Sequence, residues 1–520
     1  MARLYSLLVV FGVGLALCGA TDPPQDDDCP NFDEWFFSNN QTYENHPIEF
    51  ENPLPKWLRG TLIRNGAGQV EMGNRKFVNF FDGFAKLNSW RFPGNGSAFF
   101  TTKFIQSKVY TESVAKNDIA PFLTFEGVVP PFGEIERYES FLLNMDNTVV
   151  NVFNYSNKIV AMNDIWKVYE VNPLTLDTIG VVNPPTPPTK YSNLARLNVM
   201  STAHPVKEYG TPHTFDILNT FSLIPGMKER LSVVRVTSLA GRELVAEWEI
   251  DRTSYMHSFS VTPNYVVLLA APYYVNMNDM LKYASVVGGM AWNAQDNATF
   301  YVVEIKTGKV HTLVTGNVFV VHHINAFESP DGKIVLDVPA QPNPYAFSLY
   351  DLAYIHNKTA RVNLIAKPVL TRYTLDLKTK NVQRVSFESG PKAPCVSALE
   401  MPVFNENYRH GNYCYIYGQV INYNGKGFSH IALVKKDVCN NAGDLMYTAP
   451  HQYLTEPWFV PMPGGKDEDD GVLVASAFDG DKKASYLLML DPKTMTVINR
   501  SYMPTRIPFN FHGRFFDAVY

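Results

Sequence analysis

The run Phe319-Val320-Val321-His322-His323-Ile324-Asn325-Ala326-Phe327-Glu328 sets two imidazoles side by side among apolar, strand-forming residues. On a strand, neighbouring side chains face opposite ways, so one of the two histidines looks inward. An imidazole aimed into an apolar interior needs a hydrogen bond or a metal, and a backbone partner meets that need as well as an ion does. The pair becomes informative through three other histidines in comparable settings: His204 in Ser-Thr-Ala-His-Pro-Val, His257 in Ser-Tyr-Met-His-Ser-Phe, and His512 in Phe-Asn-Phe-His-Gly-Arg. Three acids in apolar or proline-flanked contexts join them: Asp164, Glu400 and Glu456. In order the positions are 164, 204, 257, 322, 400, 456 and 512, about one per 58 residues. Imidazole suits iron, copper, zinc or nickel. Four neutral rings leave two octahedral positions open, room for dioxygen beside a substrate. A carboxylate that accepts the other ring N–H fixes a ligand's orientation, so the acids make sense behind the histidines. With three acids for four rings, one ring goes without.

Such residues need elements that carry them to one point. From about residue 50 the chain is a succession of short apolar or alternating runs broken by Gly, Pro, Asn and Asp, which predicts an all-β fold. A strand–turn–strand plan recurs at Val168 to Ile179, Tyr301 to Val310, Tyr373 to Val382 and Leu487 to Val497, with looser copies at Ser232 to Leu244 and His430 to Cys439. Hairpins at rough multiples of 60 to 70 residues fit the outer strands of propeller blades, about seven of them. A pair of sandwiches does not explain the recurring Lys-Thr turn. One site residue on each innermost strand would bring all seven to the axis. No linker divides the chain, so residues 49–520 read as a single domain with long insertions. One insertion, 271–292, is apolar, aromatic and Met-rich. It fits a short helix packed on the core or a patch that touches membrane.

The 520 residues carry a net charge of −5, with 46% hydrophobic and 18% charged residues, an ordinary globular balance with nothing to attract nucleic acid. The acidic cluster Asp467-Glu468-Asp469-Asp470 reads as a solvated turn. Residues 1–20 read as a cleavable secretory signal, with Arg3, an apolar stretch from Leu4 to Leu17, and small residues at Cys18-Gly19-Ala20. Residues 21–48 follow as a polar lead-in. Sequons at Asn40, Asn95, Asn154, Asn297, Asn357 and Asn499 agree with export as a glycoprotein. Of Cys29, Cys395, Cys414 and Cys439, the expected disulfide is Cys414 with Cys439.

The residues above, with Pro53-Leu-Pro-Lys-Trp-Leu-Arg-Gly-Thr-Leu-Ile-Arg-Asn-Gly66, Phe81-Asp82-Gly83, Ala203-His204-Pro205, His257-Ser258-Phe259, Glu400-Met401-Pro402, Glu456-Pro457, Glu468-Asp469-Asp470-Gly471 and Phe511-His512-Gly513, resemble the carotenoid cleavage oxygenase family. The likeness is to its animal branch of carotene oxygenases and the visual-cycle retinoid isomerase. It implies a seven-bladed β-propeller capped by a loop and helix dome, with one Fe(II) per chain held by His204, His257, His322 and His512. It implies an apolar polyene and O2 as substrates, cleaved at a conjugated double bond to aldehyde or ketone products such as retinal. Retinoid isomerisation with ester cleavage on the same site is the rival activity, and a secreted carotenoid or lipid carrier is the rival outside catalysis. Oligomeric state stays open. Three departures stand out. The family's third orienting glutamate falls on Asp164, one methylene shorter, whose oxygen is expected to fall short of its imidazole unless backbone or water intervenes. The stretch associated with membrane contact reads Val129-Pro-Pro-Phe-Gly133, without a cysteine. The leader is the third, since familiar animal members are intracellular.

Overall fold

The computed structural model describes residue 27 and residues 29–191, 196–222, 224, 226–363 and 367–520. The expected leader, 1–20, lies outside the described residues. Seven antiparallel sheets of four or five strands follow one another among the described residues, beside two smaller ones. The first holds Tyr43–Ile48, Ala98–Phe104, Phe84–Phe92 and Gly60–Gln69, and takes as its last member Asn510–Phe516 from the other end of the chain. The seventh ends on the hairpin of Ala484–Asp491 and Thr496–Tyr502.

Local chemistry explains the recurring hairpins. The four close copies are the two outer strands of the second, fourth, fifth and seventh sheets. In each, the residue after the turn threonine has a left-handed backbone: Leu176 (φ 59°), Gly308 (φ 70°), Lys380 (φ 56°) and Met495 (φ 55°). A side-chain oxygen at the turn's start accepts the exposed amides: Asn172 from Leu174 and Thr175, Asp376 from Lys378 and Thr379, Asp491 from Lys493. Such Asx contacts hold a tight turn before any tertiary packing exists.

Apolar clusters join neighbouring sheets face to face. Phe215 and Leu231 of the third sheet meet Val266 and Leu268 of the fourth, and Val267 and Phe300 of the fourth meet Leu336 and Val338 of the fifth. Leu62 and Trp90 of the first sheet pack with Val474 and Leu487 of the seventh. The described part of the expected lead-in is not loose. Phe32, Trp35 and Phe36 are fully buried, and buried Asp27 pairs with buried Arg361 at 3.1 Å. The acidic cluster is not a free turn either. The Glu468 carboxylate accepts the amides of Cys414 and Tyr415, and Asp469 pairs with Lys435 at 2.6 Å.

Helices are few and short. Lys108–Lys116, Glu134–Leu143, Met277–Tyr283 and the 3-10 turn Tyr345–Tyr350 sit in the long insertions. Segment 271–292 takes the packed-helix form: Tyr273, Val275, Met280 and Val286 are buried, while Tyr283 points outward. No helix among the described residues is long and apolar enough to cross a membrane. Cys414 and Cys439 form the expected disulfide, whereas Cys29 is a free, buried thiol 3.4 Å from the His430 ring. The sequon at Asn499 is unusable in the fold, because this side chain is fully buried and bonded to Asn52.

Candidate metal centre

Three of the seven predicted site residues sit where an edge strand is interrupted. His204 lies between Arg196–Met200 and Val206–Lys207, His322 between Phe319–Val320 and Asn325–Glu328, and Glu456 between Gln452–Leu454 and Trp458–Pro461. The His322-His323 pair is therefore not on a continuous strand, and strict alternation does not sort it. The break frees the backbone to aim His322 inward, while His323 turns aside and bonds Ser260 Oγ at 2.9 Å. His512 arrives on Asn510–Phe516, held close to Gly60–Gln69 because residue 513 is glycine; a Cβ there would stand 2.3 Å from the Ile63 carbonyl oxygen.

The four rings converge. Their ligand nitrogens all lie within 4.8 Å of one another, with 2.9 Å between Nε2 of His204 and His257 and 3.2 Å between Nε2 of His322 and His512. Three rings spend their Nδ1–H on an acid: His257 on Asp164 (2.8 Å), His322 on Glu400 (2.6 Å) and His512 on Glu456 (2.8 Å). Among the described residues His204 has no carboxylate partner, as the count of three acids requires. Asp164 does not fall short of its imidazole. It reaches His257 directly, and its other oxygen accepts the Ala203 amide at 2.9 Å.

This arrangement fits a metal ion. With Nδ1 protonated toward an acid, Nε2 is a bare lone pair, and several lone pairs aimed at one point repel unless a cation stands among them. Ligand bonds of about 2.1 Å put cis nitrogens about 3 Å apart, the spacing of the His204–His257 and His322–His512 pairs. Burial, and then the neighbouring imidazoles, push His204 and His512 well below the usual histidine range, so both are neutral as ligation demands. Burial pushes Glu456 up to about 7, against the pull of Arg64 3.3 Å away.

Sequence reasoning missed the residues that hold these acids. Tyr255 donates to Asp164 at 2.7 Å, Gln341 to Glu400 at 2.8 Å, and fully buried Arg64 grips both Glu456 and the Phe511 carbonyl. Signals existed for two of them. Tyr255 is two residues from His257 on extended chain, hence on the same side. Arg64 is a lone charge in an apolar strand, which calls for a buried partner.

Above the rings opens a cavity with almost wholly apolar walls, including Phe81, Phe125, Met280, Phe347 and Tyr350. His257, His322 and His512 form its floor. The insertions supply much of its wall, so their function is to cover the site.

The chain is 27% identical to the chicken (Gallus gallus) protein named beta,beta-carotene 15,15'-dioxygenase, over 93% of this chain and 98% of that one. It is 28% identical to the Macaca fascicularis protein named carotenoid-cleaving dioxygenase, mitochondrial, over 89% and 90%. Among solved structures, a Glu-to-Asp mutant of Synechocystis apocarotenoid oxygenase superposes with a TM-score of 0.78 at 24% identity, covering 93% of this chain and 98% of that one. The cobalt-substituted form of that enzyme gives 0.77 at 22% identity over the same shares, so the fold is known with a metal in place. The fold is thus the mostly-β, propeller-type arrangement of those oxygenases. The secretory placement expected from residues 1–20 and the sequons is contradicted: the macaque relative is named a mitochondrial protein, not a secreted one. The pattern of the retinal pigment epithelial membrane protein family, RPE65, matches residues 36–517, nearly the whole described fold, and the chain belongs to that family of carotenoid oxygenases.

Proposed function

We propose that this chain is a non-haem iron(II) oxygenase that cleaves a conjugated double bond of a carotenoid or apocarotenoid with O2, giving aldehyde or ketone products such as retinal. One observation carries the reading: four imidazoles converge on one point, and three of them, His257, His322 and His512, form the floor of an apolar cavity. The names of the relatives agree with it. We assign one Fe(II) per chain to His204, His257, His322 and His512, with Asp164, Glu400 and Glu456 orienting three of the rings. When bound, iron supplies a centre at which O2 is activated beside an alkene.

The chain's own residues do the rest. The carboxylates hold the Nδ1 protons of His257, His322 and His512, which fixes their tautomers and leaves each Nε2 lone pair for a metal. The apolar walls strip water from a polyene and align it over the floor, and the faces of Phe81, Phe347 and Tyr350 stabilise positive charge that develops along it. Seven blades round one axis, in a single domain over 49–520 that also takes in the chain from Cys29, form the architecture we propose. Packing of the seventh sheet on the first supports it. For delivery of substrate we propose peripheral membrane contact through Tyr283 of segment 271–292 together with exposed Ile135, Tyr138 and Leu142 of the adjoining Glu134–Leu143 helix.

The test is purified protein loaded with Fe(II) and given β-carotene in micelles under air. Aldehyde products are expected. Isomerised retinol from a retinyl ester would replace the reading with the isomerase, and unchanged bound pigment would replace it with a carrier. The carrier reading drew on a short Asp164, and the 2.8 Å contact to His257 removes that support.

A further inference from the structure

The histidine ring has a second side. Opposite the apolar cavity lies another, lined by His204, Lys207, Glu406, Arg409, Trp458 and Arg514. His322 and His512 line both cavities; His204 faces only this one and His257 only the other.

Its charges do not cancel. Glu406 is taken by Arg409 through two bonds of 2.6 Å. Glu456 is taken by Arg64 and His512. Arg514 and Lys207 are left over, with no side-chain hydrogen bond or ion pair among the described residues. The Arg514 guanidinium lies over the rings of Phe153 (4.6 Å to the centroid) and Trp458 (5.4 Å). Ring stacking occupies a guanidinium's face and leaves its N–H edge free for an in-plane partner. Arg514 is half-buried and Lys207 exposed, so a ligand in water can reach both. Glu406 and Asp517 act on Lys207, and Glu406 and Glu456 on Arg514, but none of them stands within ion-pair distance of either cation. Two cations in one cavity repel each other, and an anion between them reverses the sign.

We propose that this second cavity is an oxyanion site, in which the Arg514 fork and the Lys207 ammonium receive a carboxylate or a phosphate group. The fork matches two oxygens of such a group, and the lysine adds a point charge. Chloride, with no oxygen pair for the fork, is a poor ligand. Nothing in the proposed oxygenase reaction calls for this site, and it stands whether or not iron is the metal.

The full-length protein is titrated with sodium acetate, sodium phosphate or sodium chloride at constant ionic strength, following thermal midpoint and tryptophan fluorescence, to which Trp458 contributes. A saturable response to acetate or phosphate, absent with chloride, is expected, and the oxyanion with the lower half-saturation identifies the class. Lys207→Gln and Arg514→Gln should each weaken half-saturation at least tenfold. Lys207→Gln, at an exposed position, should keep the far-UV circular dichroism and metal content of the parent, so its result stands even if Arg514→Gln misfolds. Equal responses to all three salts, or a saturable response that survives in Lys207→Gln, overturns the site.

Discussion

Asp164 shows how a single methylene is absorbed. Its carboxylate touches the His257 ring, the Tyr255 hydroxyl and the Ala203 amide at once, so the shorter side chain has three partners and no gap. An added methylene would have to displace one of them, at about 1–3 kcal/mol for overpacking. Asp164→Glu is therefore expected to lower turnover of an iron-loaded enzyme, measured as product formed per bound iron; a rise would show that aspartate attenuates the site. His257→Ala removes a proposed ligand and strands both Asp164 and Tyr255. Metal analysis should find no bound iron in that variant, and a stoichiometric iron content would contradict the ligand assignment.

Among the elements, the first sheet is built from both ends of the chain and carries two testable consequences. Its strand Phe84–Phe92 places Lys86 in the interior, donating to the Asn39 and Gln41 carbonyls at 2.7 and 2.6 Å. Burial, and then Arg506, push this ammonium down to about 7. Between pH 7 and about 10 the unfolded chain holds a proton that the folded one has released, so stability rises with pH across that window. Relative to Lys86→Met, the parent should gain about 2 kcal/mol from pH 7 to 9 in denaturant titrations; parallel profiles would refute the buried lysine's role. The strand Asn510–Phe516 carries His512 and also buries Phe511, stacked on Phe81 at 4.5 Å. Deleting residues 510–520 is expected to abolish cooperative unfolding along with metal binding. A truncated protein that melts cooperatively would show that the closing strand is dispensable.

Across the whole molecule, the apolar cavity must be supplied with a substrate that water does not carry. Ile135 and Leu142 are each more than four-fifths exposed, on a helix that adjoins the cavity's cover. Burial of such a side chain in lipid is worth about 1.5–3 kcal/mol. Ile135→Asp with Leu142→Asp should reduce sedimentation with phosphatidylcholine vesicles tenfold or more, with metal content unchanged. Undiminished sedimentation would place the contact elsewhere. A metal that binds only the folded state stabilises it by mass action, about 2.7 kcal/mol at a hundredfold excess over Kd. Chelation should therefore lower the melting temperature of the metal-loaded protein; an unchanged melt would mean that the four rings hold no ion.

Local chemistry is what the sequence by itself determined. The hairpins were legible because an Asx side chain at the turn's start caps the turn within a few positions, at Asn172 as at Asp376. The identities of the histidines and acids were legible because an imidazole or carboxylate in an apolar run must be explained. Tertiary structure alone decided the rest. The interruptions at His204, His322 and Glu456, the Tyr255 and Arg64 contacts, the reach of Asp164 and the uncancelled charges of Arg514 and Lys207 all depend on partners from distant parts of the chain. No local preference encodes such distances, because packing of whole sheets against one another sets them.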